Sequence, residues 1–149
     1  MSAAAQPTDK RITGLCLQRV LRDFGALLTV TALDDGSFRI ATPFALTNGD
    51  MFPIFVESRG TGWRITDRGA TLASLTPGHV DLVRRDLDVI ERVARASGFT
   101  LSDSHHISRD CHDLPSPRDF ANIIQVEACI SVLIPTSAQM RSAISGQRT

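Results

Sequence analysis

Between Lys10 and Phe24 the apolar residues Ile12, Leu15, Cys16, Val20 and Phe24 recur at spacings of three and four, which predicts a helix with one apolar face closed by Gly25. After Leu27 the period shortens to two. Leu28, Val30 and Ala32 alternate with Thr29 and Thr31, Asp34-Asp35-Gly36 supplies a turn, and Phe38-Arg39-Ile40-Ala41 resumes in extended form, so a hairpin is expected. A second turn at Asn48-Gly49 leads into Met51 to Glu57, where Phe52, Ile54 and Val56 share a face. Ser58 to Gly62 turns the chain again into Trp63-Arg64-Ile65-Thr66. The expected product is an antiparallel meander of about four strands, with Pro43 and Pro53 at edges, bulges or strand ends because neither donates a ladder hydrogen bond.

The second half is mostly helical in pattern. Ala70 to Leu75 predicts a short helical turn, and Asp81 to Ser97 carries Leu82, Val83, Leu87, Ile90, Val93 and Ala94 on one stripe before Gly98. Phe99-Thr100-Leu101 suits one more short strand, whereas Ser102 to Leu114 reads as polar and irregular. Ser116-Pro117-Arg118-Asp119 then combines a cap, a proline at the first helical position and an acid in the first turn, announcing a helix to about Leu133. Apolar residues nearly encircle that helix, so it should be buried on several sides, within the domain or against a second copy through Phe120, Ile123, Ile124 and Ile130.

Size and composition fit one soluble domain: 149 residues, 42% hydrophobic and 21% charged. Residues 1–9 read as a flexible leader, 10–134 as a single domain and 135–149, rich in Ser, Ala and Gln, as a mobile tail. Sixteen basic residues balance sixteen acidic ones, which removes the simple signature of a non-specific nucleic-acid binder. The apolar stretch Phe120 to Ile134 is too short and too interrupted to cross a bilayer, and Met1 to Thr8 lacks the features of a secretory signal. A cytoplasmic location follows as the expectation. Cys16, Cys111 and Cys129 are odd in number and widely spaced, which favours reduced thiols over a disulfide framework.

One stretch carries a recognisable pattern: Ile40-Ala41-Thr42-Pro43-Phe44, then Gly49-Asp50, then Ile65-Thr66-Asp67-Arg68-Gly69 and Thr71-Leu72-Ala73-Ser74-Leu75. It resembles a family of bacterial and phage-associated proteins of unknown function that read TPF…GD…LTD-x-G-x-T-L-x-x-L, followed by a long amphipathic helix. Arg68 stands where that family often has an acidic or polar residue, and Ile65 replaces its usual leucine. The resemblance implies an α+β fold and association with mobile elements, and no established reaction, cofactor or catalytic residue.

Asp50 and Asp67 are the carboxylates that two hairpin ends could bring together around Mg²⁺, as a metal-dependent nuclease requires. Each also lies beside a glycine turn, where accepting backbone N–H bonds is the commoner use of Asp, and that reading is favoured. His105, His106, Cys111 and His112 offer zinc-ligand types, but their spacing matches no standard zinc motif. Cys16 and Cys129 fall in apolar helical stripes, as small core residues do. Arg84 and Arg85, with Arg92 and Arg95, could form a phosphate-facing ridge, yet Asp81, Asp86, Asp88 and Glu91 share their helix and favour solvated ion pairs. Trp63 is assigned to the core or to a partner surface.

The sequence therefore predicts an α+β domain, an antiparallel meander packed by an N-terminal helix and C-terminal helices, working as a non-catalytic protein-interaction module without cofactor. A phage or mobile-element inhibitor of a host defence complex, in the manner of an anti-CRISPR protein, is the concrete expectation. A metal-dependent enzyme acting on nucleic acid and a DNA-binding regulator are the alternatives.

Overall fold

A computed structural model describes residues 14–76 and 82–146. Ten elements follow in order: α1 (Gly14–Gly25), β1 (Thr29–Ala32), β2 (Phe38–Ala41), β3 (Ile54–Arg59), β4 (Gly62–Thr66), α2 (Ala70–Leu75), α3 (Arg84–Ala96), β5 (Thr100–Leu101), β6 (Ile107–Cys111) and α4 (Pro117–Gly146). Residues 10–13 of the expected first helix, and the leader before them, lie outside the described residues.

The meander β1 to β4 forms as its alternation predicts, but the sheet has six strands rather than about four, in the order β1-β2-β3-β4-β6-β5, all antiparallel. The missed strand is β6, in the segment read as irregular. Its period-two pattern is Ile107, Arg109, Cys111, with an arginine where an apolar residue would signal a buried face. Arg109 nevertheless belongs on that face, because its guanidinium meets Asp119 of α4 at 3.1 Å. Burial pushes the Asp119 carboxyl up, yet hydrogen bonds from Ser116 and the charge of Arg109 outweigh this and hold it below its usual value.

The register separates the two faces. Ile40, Ile54 and Ile65 lie in successive strands on one face, and they form the core with Leu72, Ile90, Phe99, Ile107, Ile123, Val126 and Ile130. Helix α4 packs against α2, α3 and β4, which bury Ile123, Val126, Ile130 and Ile134, while Val132 and Leu133 of its encircling apolar set stay exposed. It also continues beyond the expected end near Leu133, through Pro135 to Gly146. A proline removes one helical hydrogen bond, and the Ala, Gln, Met and Arg residues beyond it are good helix formers. Cys129, expected in the core, is exposed. The opposite face of the sheet is polar: Arg64 and Asp110 pair across β4 and β6 at 2.7 Å, and Arg68 reaches Glu57 at 3.1 Å and Asp35 at 3.0 Å while lying 4.7 Å from the Phe55 ring centre.

Candidate functional site

The turn after β4 is built around one carboxylate. Asp67 is fully buried, and its Oδ1 accepts the backbone N–H groups of Gly69 and Ile107, both at 2.8 Å, while Oδ2 accepts that of Thr71 at 3.2 Å. The first and third of these N–H groups open α2, where a helix start leaves donors without helical partners. The bond from Ile107 ties the same turn to β6. Gly69 takes φ 77°, a left-handed conformation suited to glycine, and Arg68 beside it takes φ 55°. Burial raises the Asp67 carboxyl above its ordinary value, opposed by the hydrogen bonds it accepts.

A second buried acid lies behind this turn. Glu127 projects from α4 with no exposed surface; the Thr71 hydroxyl donates to its Oε1 at 3.4 Å, and its Oε2 has no hydrogen-bond partner among the described residues. Burial first, and the neighbouring Asp67 charge second, push its carboxyl up to about 9, so the group is neutral at pH 7. Glu127 is not among the candidate residues drawn from the sequence. An acid amid Val126, Ala128 and Ile130 was the available signal.

Asp50 has different surroundings. It is exposed, its N–H donates to Asn48 Oδ1 at 3.0 Å, and its carboxylate accepts from the Asn48 amide and the Ser74 hydroxyl. Asn48 also donates to the Ser74 carbonyl at 3.0 Å, and Thr47 is bonded to Ser131 of α4 by its N–H at 2.7 Å. These bonds latch the loop before β3 onto α2 and α4. Among the described residues no group of three or more His, Cys, Asp or Glu side chains is placed to hold a metal ion. Trp63 is half-buried against the core, and Arg84 and Arg85 are exposed at the start of α3. Of the four residues proposed for dimerisation, Ile123 and Ile130 are wholly inside the protomer and Phe120 and Ile124 pack against the core.

Apolar surface is concentrated elsewhere. Val20, Leu21 and Phe24 of α1, then Leu27, Leu28 and Val30 leading into β1, are each 41–68% exposed. Phe24 contacts Phe44 with ring centres 5.9 Å apart, and Phe44 stacks on the buried Phe52. Val20 and Leu21, earlier in the same helix, are open to solvent.

Residues 42–130 match the domain of unknown function DUF1828. The chain belongs to that family. Its DUF1828 region runs from the loop after β2 into α4, and so contains the Asp67 turn, the Asp50 latch and Glu127, while α1, β1 and β2 precede it. No curated protein and no solved structure matches the chain. No helix among the described residues is long and apolar enough to cross a membrane.

Proposed function

We propose that this DUF1828 protein is a non-catalytic protein-interaction module whose docking surface is formed by α1 and β1. One observation carries the reading: six large apolar side chains between Val20 and Val30 stand exposed in a single run of chain. Contiguous apolar surface of this kind marks binding sites, because covering it removes unfavourable contact with water. The turn acids support the same reading. Asp67 is occupied by three backbone donors, and Asp50 is engaged with Asn48 and Ser74. Action against a host defence complex, by a protein carried on a phage or mobile element, is the role that this reading and the family resemblance favour.

The test compares the wild type with a Val20→Glu/Leu21→Glu chain, folded by circular dichroism, in quantitative cross-linking with host extract. Loss of partner cross-links by at least about tenfold is expected, corresponding to about 1.4 kcal/mol of binding. Equal cross-linking by both chains would overturn the assignment of α1 as a docking surface.

A further inference from the structure

We infer that the occupant of the β1 edge is a second copy of this chain, paired antiparallel about a two-fold axis through Val30. The inference rests on the docking reading above and names its partner. Among the described residues β1 ends the sheet and pairs on one side only, with β2. Edge strands in soluble proteins are commonly blunted by charge, proline or a bulge. The run Leu27-Leu28-Thr29-Val30-Thr31-Ala32-Leu33 contains neither charge nor proline, and its register with β2 is unbroken from Thr29 to Ala32.

Hydrogen-bond parity shows which groups face outward. The Leu33 N–H donates to the Ser37 carbonyl at 2.9 Å. Bonded and non-bonded pairs alternate in an antiparallel ladder, so Thr31 and Thr29 also bond to β2, whereas Ala32 and Val30 turn their N–H and C=O groups to the open edge. Leu28 offers its carbonyl there, its N–H being given to Gly25. A two-fold axis at Val30 lets Val30 and the partner's Val30 exchange both bonds, and lets each Ala32 N–H meet the partner's Leu28 carbonyl.

The side chains agree with this register. Reading outward from Val30, Thr29 pairs with the partner's Thr31, Leu28 with the partner's Ala32 and Leu27 with the partner's Leu33. The run is therefore nearly palindromic, and self-pairing places hydroxyl beside hydroxyl and apolar beside apolar with no like charges opposed. Val30 also continues the core-facing row of Ile40 and Ile54: those two are 9% and 0% exposed, while Val30 is 65% exposed. A second copy extends that row with another Val30.

The experiment measures mass by light scattering and amide exchange by NMR on the full chain across a concentration series. A concentration-dependent dimer is expected, with new protection at the Val30 and Ala32 amides and little change at Thr29 and Thr31, which already bond to β2. Val30→Pro removes only an outward donor, and Val30→Lys places two ammonium groups across the axis. Either should leave a folded monomer. A wild-type monomer at every concentration, or a dimer that survives Val30→Lys without protection at Val30, would overturn self-pairing. If the wild type is monomeric but Val20→Glu/Leu21→Glu still abolishes host cross-links, only the identity of the partner falls; if those cross-links are also unaffected, the docking reading falls with it.

Discussion

Glu127 keeps its proton because the ionised form would face a dry interior and a neighbouring carboxylate. The unfolded chain releases that proton near the ordinary glutamate value of 4.5, whereas the folded protein holds it up to about 9. Between those values the native state binds the extra proton, so this residue's contribution to stability is fully present below pH 4.5 and declines as pH rises towards 9. Glu127→Gln is expected to stabilise the protein by about 2–3 kcal/mol at pH 7 and to flatten that decline, as measured by urea unfolding across pH 5–9. Asp67 responds differently to substitution. Asp67→Asn keeps an acceptor for Gly69 and Ile107 and loses the one for Thr71, costing about 1–2 kcal/mol, whereas Asp67→Ala strands all three donors and should cost at least about 3 kcal/mol. The local part of this design was legible in the sequence, since an Asp two residues before Gly69 and four before Thr71 suits a turn opening a helix. The bond from Ile107 was not, because nothing in a local window relates residues 40 positions apart.

Strands and helices with a clean period were legible; the element that departed from its expected chemistry was not. β1 to β4, α2 and α3 follow their alternation or stripe closely. β6 escaped because Arg109 occupies a core-facing position and relies on Asp119, a partner on another element. The apolar residues of α4 promised burial on several sides; Ile123, Val126, Ile130 and Ile134 are buried while Val132 and Leu133 are exposed, because the sides that are covered depend on where α2, α3 and β4 pack. The contact between β4 and β6 suggests a direct test of element spacing. A Cβ added at Gly62 would lie 2.4 Å from the Cys111 carbonyl oxygen, a backbone atom with little room to retreat. Gly62→Ala should therefore part the two strands locally and destabilise the protein by about 2–4 kcal/mol, read as a lower thermal midpoint. Gly36→Ala, with open space around its Cβ, should cost less and reflect only its left-handed φ of 79°.

At the scale of the molecule, one sheet face is covered by α2, α3 and α4, the other is polar and open, and the longest run of exposed apolar residues, Val20 to Val30, lies at the β1 end. With Asp67 committed to backbone donors and Asp50 to its latch, Mg²⁺ or Mn²⁺ should leave the melting temperature unchanged. A metal-dependent rise that disappears in Asp50→Asn and Asp67→Asn would instead restore the hydrolytic alternative. The position of β6 has a further consequence for biosynthesis. β4 is made well before β6, and α2, α3 and β5 are translated between them. While that intervening stretch emerges from the ribosome, the far side of β4 has no strand to pair with and the Asp67 carboxylate lacks its Ile107 donor. The nascent chain thus carries an open, sticky margin until its final third arrives, making slowed translation after β4 a condition under which holding chaperones should matter most.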